Sequence, residues 1–266
     1  MKQLIKSLIP PLFLNTLKKY RNHKYGWKGD YLTWQQAEND STGYDSGEIL
    51  KAVTNSLLKV KNNEAVYERD SVVFDEIQYS WPLLSGLLLA SVKDGAVRVL
   101  DFGGSLGSTY YQNKKFLDNI DKVSWSIVEQ KSFVDLGKSR FEDEQLKFFY
   151  SVDECVKSER PNTLLLSSVL QYIEKPYELL DDILKNKFEY ILIDRTPFNL
   201  KDRDKITLQI VPPNIYEASY PCWFFDKHYF INYFLTRNYS IVESFDGSDG
   251  GNMDYVFSGI IFKKND

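Results

Sequence analysis

The chain has 266 residues, of which 43% are hydrophobic, 26% charged and 15% aromatic, and its formal net charge is −4. This composition is typical of a soluble globular protein that holds one large domain, or a core domain with an added segment. Two cysteines, Cys155 and Cys222, exclude a disulfide framework and a zinc cluster and favour a reducing cytoplasm.

The N-terminal segment before Asp30 carries seven basic residues and no acidic one. Its apolar stretch is interrupted by Pro10 and Pro11, is too short to span a bilayer, and precedes no small-residue cleavage site. It can lie on the inner face of the cytoplasmic membrane, or pack on the domain as a helix with solvated lysines. Because the rest of the chain is acidic, we do not expect the protein to bind nucleic acid.

The next segment is predicted to be largely helical. Apolar residues recur at helical spacing from Ile49 to Val60, and Tyr79–Val92 has the pattern of a second, largely buried helix. We therefore predict that residues 1–95 form a basic leader and a helical cap, and that residues 96–266 form the catalytic domain.

From residue 96 onwards, strand and helix patterns alternate. The predicted strands are Val97–Phe102, Val123–Val128, Leu146–Tyr150, Thr163–Leu166 and Tyr190–Ile193, and two later strands, Tyr239–Phe245 and Tyr255–Phe262, form an antiparallel pair at the edge. Such alternation predicts an α/β, Rossmann-like fold with a mostly parallel seven-stranded sheet, whose ligands bind at the carboxyl ends of the strands.

A glycine-containing loop follows the first of these strands in the sequence VLDFGGSLG. Gly103, Gly104 and Gly107 allow the backbone to approach a ligand closely. The loop amides and the start of the following helix favour a polar or anionic group. The loop therefore indicates a nucleotide-binding α/β domain.

The sequence LDFGGSLG resembles motif I of class I methyltransferases that depend on S-adenosylmethionine (SAM), which reads acid-x-Gly-x-Gly-x-Gly. Asp101, Gly103 and Gly107 match this motif, whereas Ser105 replaces its middle glycine. A carboxylate before the loop can receive the charge of a methionine amino group, but it would repel a dinucleotide pyrophosphate. The resemblance and the carboxylate together favour SAM over NAD as the cofactor.

Further cofactor contacts are expected after the next three strands. Glu129 ends the second strand and can accept hydrogen bonds from ribose hydroxyls, although a solvent-exposed glutamate is the alternative. The resemblance implies an adenine contact from Ser151 or Asp153. It also places Leu164–Pro176 near the transferred methyl, with polar side chains at Ser167, Ser168 and Gln171.

A wider resemblance covers nearly the whole chain. The sequences YERDSVVF, YSWPLL, LDFGGSLGSTYYQN, WSIVEQ, LLSSVLQYIEKP and VPPNIYEASYPCWFF resemble a methyltransferase family encoded in bacterial gene clusters for lipopolysaccharide and other surface polysaccharides. This resemblance implies the SAM-dependent fold and suggests a small-molecule or lipid-linked glycan as the acceptor. It supplies no established catalytic residue.

Methylation of a sugar hydroxyl gains from a general base. His228 is one candidate, since an imidazole accepts a proton near neutral pH, and a helix cap is its structural alternative. Asp194, expected at the end of the fifth strand, is the other, and it can instead pair with Arg195. The remaining residues expected to contact the acceptor are Glu68, Arg69, Gln171, Arg195, Tyr216, Tyr220 and Trp223. No cluster of side chains suggests a metal site.

Three functions remain open at this point. The favoured one is a SAM-dependent O-methyltransferase that acts on a sugar hydroxyl of a bacterial surface glycan or its precursor. The second is an NAD-dependent sugar-modifying enzyme, which needs a catalytic Tyr-x-x-x-Lys pair late in the domain. Tyr110–Lys114 and Tyr111–Lys115 have this spacing, but both pairs lie in the helix directly after the glycine loop. The third is a non-catalytic subunit with the same fold.

Overall fold

The structure is a computed structural model that describes residues 24–43, 46–213, 215–251 and 254–266. The basic leader predicted from the sequence lies mostly outside these residues. Within them, no helix combines the length and the apolar character that a membrane span needs.

The described residues form twelve strands and eight helices. The strands are β1 (Gly26–Tyr31), β2 (Tyr67–Arg69), β3 (Val72–Phe74), β4 (Ala96–Phe102), β5 (Lys122–Val128), β6 (Leu146–Phe149), β7 (Thr163–Ser167), β8 (Tyr190–Asn199), β9 (Lys205–Ile210), β10 (Ser219–Asp226), β11 (Tyr239–Gly251) and β12 (Tyr255–Lys264). The helices are α1 (Trp34–Asn39), α2 (Ser46–Lys61), α3 (Trp81–Ser91), α4 (Ser108–Leu117), α5 (Lys131–Arg140), α6 (Val152–Glu159), α7 (Pro176–Ile183) and α8 (Lys227–Leu235).

The chain folds into two compact units, and the functional division near residue 95 stays a prediction from the sequence. The larger unit contains residues 45–205 and 223–266, and the smaller unit contains residues 206–222 with the described residues before 45. In the smaller unit, β1 pairs antiparallel with β9. Trp27 Nε1 donates to Gln209 Oε1 at 3.1 Å across this pair.

In the larger unit, seven strands of the sheet lie in the order β6-β5-β4-β7-β8-β12-β11, and the end of β10 pairs parallel with the end of β8. The strands from β6 to β8 are parallel to one another, and β12 is antiparallel to both of its neighbours. The mostly parallel sheet and the antiparallel pair at its edge, both predicted from the sequence, are confirmed.

The central strands are buried because helices cover both faces of a parallel sheet. Leu100, Leu164, Ile191 and Ile193 are inaccessible to solvent, which explains the continuous apolar runs in the sequence. The polar residues that end these runs therefore come together at one edge of the sheet.

The predicted cap contains the two expected helices, α2 and α3, and between them a short hairpin of β2 and β3. Asp70 and Ser71 form its two-residue turn, and both have a positive φ, of 52° and 68°. Positive φ at both positions defines a type I′ turn, which usually contains Asn-Gly. The hairpin therefore places Asp70 in a tight, strained turn, directly after Glu68 and Arg69 at the end of β2.

Candidate active site

The loop after β4 comes close to its own strand and to the loop after β7. A Cβ atom at Gly104 would lie 2.4 Å from Asp101 Oδ2, and one at Gly103 would lie 2.4 Å from Val169 Cγ2. Gly103 also has a φ of +70°. A side chain at either position would force the loop away from the sheet edge, so both glycines are required by the packing.

Ser105, which departs from the usual motif, adopts the backbone conformation of a glycine. Its φ is +55°, a region that residues with a side chain rarely occupy. Its backbone N–H favours the charged form of the Glu129 carboxyl and so opposes the rise of that pKa. Ser105 therefore adopts, with strain, the backbone conformation that the glycine of the usual motif adopts freely.

Asp101 is a buried carboxylate beneath this loop. It is 1% exposed and accepts a hydrogen bond from Trp125 Nε1 at 3.0 Å. Burial raises the pKa of Asp101 to about 7, and the nearby Glu129 charge adds to this, whereas the Trp125 hydrogen bond and the Arg195 charge oppose it. A cationic ligand beside this carboxylate would favour its charged form.

Glu129 follows β5 at the same edge of the sheet. Its Oε2 accepts the backbone N–H of Gln130 at 2.6 Å. Burial raises the pKa of its carboxyl. The carboxylate oxygens have enough lone pairs to accept ligand hydroxyls in addition.

The residues expected to contact adenine begin α6. Ser151 caps this helix, since its hydroxyl accepts the backbone N–H of Glu154 at 3.2 Å. Asp153 is exposed in the first turn of α6. An adenine contact from either residue remains a prediction.

A polar cluster joins the end of β7 to β8. Ser167 Oγ donates to Asp194 Oδ2 at 3.1 Å, and the Ser168 amide donates to the Asp194 carbonyl oxygen at 3.0 Å. Gln171 Nε2 donates to Ser168 Oγ at 3.0 Å. Asp194 is 4% exposed and Gln171 is 1% exposed, while Gln171 Oε1 has no hydrogen-bond partner among the described residues. The fold thus brings together residues predicted separately as base, cofactor contact and acceptor contact.

The prediction that β8 ends at Asp194 is wrong, because the strand continues to Asn199. Ile193 pairs with Ile260 and Thr196 with Ser258, so Asp194 and Arg195 together oppose Gly259. This is a β-bulge, a feature that re-aims side chains beside functional sites. Asp194 nevertheless lies at the site edge, since its partner Ser167 ends β7.

The hairpin adds three charged residues to this region. Asp70 Oδ2 lies 3.2 Å from Arg195 Nη1 and 4.0 Å from Arg69 Nε. Glu68 is 1% exposed and accepts hydrogen bonds from the Ser71 amide at 2.7 Å and from Ser108 Oγ at 2.5 Å. Burial raises the pKa of Glu68. Since Ser108 begins α4, Glu68 connects the hairpin to the helix that follows the glycine loop.

Other predicted residues do not join this cluster in the described hydrogen bonds. His228 is exposed in the first turn of α8, and its backbone N–H donates to the capping Asp226 at 2.9 Å. Trp223 Nε1 donates to the Ile173 carbonyl oxygen at 3.0 Å, in the loop after β7. Tyr216 and Tyr220 belong to the smaller unit, where their hydroxyls lie 3.3 Å apart.

Sequence reasoning missed two contacts of the site, those made by Trp125 and Ser108. A tryptophan in a buried strand needs a partner for its indole N–H, and the adjacent strand carries the Asp101 carboxylate. The sequence WSIVEQ therefore signals that the Trp125 indole needs a partner, whereas the identity of the partner depends on the register of β4 and β5. Across the described residues, no group of three or more His, Cys, Asp or Glu is arranged to hold a metal ion.

No family model matches the chain, and no curated protein sequence matches it. Among solved structures, the chain is similar to the N-terminal domain of EvdMO1 with S-adenosylhomocysteine (SAH) bound. That comparison has a TM-score of 0.51 and 12% identity, and it covers 84% of this chain and 98% of that chain.

Two further solved structures align with lower TM-scores. One is the Burkholderia thailandensis 1,6-didemethyltoxoflavin-N1-methyltransferase (TM-score 0.44, 14% identity, 84% of this chain and 92% of that chain). The other is the glycopeptide N-methyltransferase MtfA complexed with SAM (TM-score 0.45, 9% identity, 68% of this chain and 93% of that chain). The likeness to the EvdMO1 domain and the strand order together show that the larger unit has the Rossmann-like class I methyltransferase fold.

Proposed function

We propose that the protein is a SAM-dependent methyltransferase that methylates a hydroxyl of a bacterial surface glycan or of its small-molecule or lipid-linked precursor. The observation that carries this proposal is the buried carboxylate of Asp101, whose pKa is raised to about 7 directly beneath a close-fitting glycine loop. Such a carboxylate favours a ligand whose positively charged group lies beside the loop. The pyrophosphate of a dinucleotide is negatively charged and does not meet this requirement.

The residues present fit SAM. Asp101 would hold the methionine ammonium group, the backbone of residues 103–107 would contact the methionine portion, and Glu129 would accept the ribose hydroxyls. Gly104 supports this assignment, because a side chain there would fill the space beside the Asp101 carboxylate. When bound, SAM would supply an electrophilic methyl group to an acceptor oxygen, with S-adenosylhomocysteine as the leaving group when the C–S bond breaks.

The protein itself must orient the acceptor and receive its proton. Of the two predicted bases, the geometry favours Asp194, which is buried, oriented by Ser167 and located at the edge where the loop after β7 begins. The acceptor hydroxyl would transfer its proton to the Asp194 carboxylate as the new C–O bond forms. A general base of this kind contributes about 10²–10⁴-fold to the rate.

The glycan acceptor and the choice of oxygen rest on the resemblance of the sequence to the polysaccharide-associated family. Gln171 supports a polar acceptor, since its buried amide oxygen lacks a partner beside Ser168. Trp223 is next to the same loop and offers a ring on which a sugar can stack. A cytoplasmic location, with the basic leader at the inner membrane face, is part of the proposal and depends on sequence alone.

Calorimetry with SAM, SAH and NAD tests the cofactor. Binding of SAM and SAH with no binding of NAD supports the proposal, whereas tight binding of NAD alone would contradict it. Transfer of a labelled methyl group to glycan fractions and nucleotide sugars then tests catalysis. Binding of SAM without turnover on any fraction would favour the non-catalytic subunit, and a methylated amine in the product would identify an N-methyltransferase.

A further inference from the structure

Two arginines converge on a single carboxylate oxygen beside the proposed base. Asp70 Oδ2 is 3.2 Å from Arg195 and 4.0 Å from Arg69. The Arg195 and Arg69 side chains are 16% and 23% exposed, whereas the Asp70 side chain is 61% exposed. The positive charges are therefore the buried part of this cluster and the negative charge is its accessible part.

The geometry of this contact is poor for a guanidinium group. Arginine binds a carboxylate or a phosphate best through two parallel hydrogen bonds, one to each of two oxygens. Here one Asp70 oxygen is shared, and the Arg195 hydrogen bond to it is formed by Nη1 alone. An external anion with two or three oxygens could accept from each guanidinium group on a separate oxygen, which the shared Asp70 oxygen does not allow.

The other acids near Arg195 are held by donors of their own. The Arg195 charge lowers the pKa of both Glu68 and Asp101 against the effect of burial. Glu68 is bound by the Ser71 amide and Ser108, and Asp101 by the Trp125 indole. Among these three acids, Asp70 is the one that reaches Arg195 from an exposed position.

The backbone around this contact is strained on both sides. Asp70, Ser71 and Arg195 all have φ between 48° and 68°, although none is glycine. The turn is held in this form by Ser56 Oγ, which donates to the Ser71 carbonyl oxygen at 2.7 Å, and by Glu68. Such strain persists where the surroundings fix it, and it concentrates at ligand sites and switch regions.

We propose that Arg195 and Arg69 bind an anionic group of the acceptor, a carboxylate or a phosphate, and that Asp70 occupies this position until the acceptor arrives. The inference rests on the proposed function, because it assigns the substrate class of the same site. Arg195 directly follows Asp194 in the chain, so an anion bound there holds a neighbouring sugar hydroxyl beside the base. The acceptor is then an acidic sugar or a phosphate-linked sugar.

NMR titration of the full chain with SAH present tests this proposal. The arginine Nε–Hε signal of Arg195 is assigned by its loss in Arg195→Lys. The probes are glucuronate, glucose 1-phosphate and neutral glucose. We expect glucuronate or glucose 1-phosphate to shift the Arg195 signal saturably, and glucose to leave it unchanged. The anion that binds more tightly identifies whether the acceptor carries a carboxylate or a phosphate.

Asp70→Asn sharpens the test, because it removes the internal anion and keeps the size of the side chain. We expect the dissociation constant of the preferred anion to fall at least fivefold in Asp70→Asn and to rise at least tenfold in Arg195→Lys. The ion pair of Asp181 and Arg237, 2.8 Å apart near α7 and α8, provides matched controls. Asp181→Asn and Arg237→Lys should leave the affinity unchanged.

The proposal fails if the Arg195 signal in Asp70→Asn responds to all three probes alike or to none. It also fails if Asp70→Asn leaves the affinity for both anions unchanged. SAH affinity, measured by calorimetry on each variant, separates this result from failure of the proposed function. Absence of SAM and SAH binding in the wild type overturns the proposed function, whereas normal SAH binding with an unresponsive Arg195 overturns the anion site alone.

Discussion

The indole of Trp125 donates a hydrogen bond to the carboxylate of Asp101 at 3.0 Å, across the neighbouring strands β4 and β5. This donor stabilises the charged form of Asp101, yet burial still raises its pKa to about 7. The carboxyl group therefore changes its charge near physiological pH, and both ligand binding and folding should report this change.

The affinity for SAM should depend on pH in the wild type. A bound ammonium group needs Asp101 ionised, and the ionised fraction rises as pH approaches 7, so we expect the dissociation constant to fall roughly tenfold between pH 5.5 and 7. Calorimetry across this range measures the change. Asp101→Asn should bind SAM more weakly and lose most of the dependence, and an unaltered pH profile in this variant would exclude Asp101 as the titrating group.

The stability of the unliganded protein should fall as pH rises, whereas the affinity for SAM should increase. Asp101 has a pKa of about 7 in the folded state and about 3.9 in the unfolded chain, so the folded state binds more protons between these values. Its contribution to stability is complete below pH 4 and is lost as pH rises through 7. Relative to Asp101→Asn, we expect the free energy of unfolding to fall by roughly 2 to 3 kcal/mol from pH 5 to 7.5. Urea denaturation at several pH values checks this, and parallel curves for the two proteins would contradict it.

Ser105 should tolerate glycine but not a β-branched side chain. Ser105→Gly keeps the left-handed backbone and should leave SAM affinity within about twofold and stability within about 1 kcal/mol. Ser105→Val is strongly disfavoured at positive φ, so it should distort the loop and weaken SAM binding at least about tenfold.

Lys187 is a suitable control for the Ser105 variants, since its φ is 56° and it lies after α7, outside the glycine loop. Lys187→Val should reduce stability without changing SAM affinity. Equal losses of SAM affinity in Ser105→Val and Lys187→Val would indicate a general effect of folding rather than a local effect of the loop.

Asp194 should affect the chemical step and not the binding of SAM. Asp194→Asn removes the proposed base, and we expect the single-turnover rate to fall at least about 100-fold while the SAM dissociation constant stays within about twofold. Ser167→Ala, which removes the hydrogen bond that orients Asp194, should cause a smaller loss. His228→Ala is the control, and a loss of rate larger in His228→Ala than in Asp194→Asn would reverse the assignment.

The sheet of the larger unit could be predicted because its strands are short apolar runs with polar ends. The extension of β8 could not, since Asp194, Arg195 and Pro197 interrupt the apolar pattern in ILIDRTPFN. Pairing with β12 keeps this segment in the sheet through Thr196 and beyond. That pairing joins residues about 60 positions apart, and the local sequence carries no signal of it.

The hairpin of β2 and β3 could not be predicted for a related reason. Its strands have three residues each, and its type I′ turn contains Asp70-Ser71 instead of Asn-Gly. The strained turn is held by Glu68 and by Ser56 of α2, both outside the turn itself. The contact between Trp125 and Asp101 likewise depends on register, since Asp101 pairs with Ile127, two residues from Trp125 on the same face.

The bulge at Asp194 and Arg195 has a consequence for how this protein can change over time. If β8 were a regular strand, removal of one residue before Phe198 would shift the register by one position. The buried Phe198 side chain would then point to the opposite face of the sheet. At the bulge, Asp194 and Arg195 both oppose Gly259, so the extra residue of β8 is accommodated locally. Ile191–Ile193 therefore keep their pairing partners on β12 and on β7. If Asp194 and Arg195 contact the acceptor as proposed, substitutions there would change acceptor specificity while the apolar residues of β8 before the bulge keep their pairing partners.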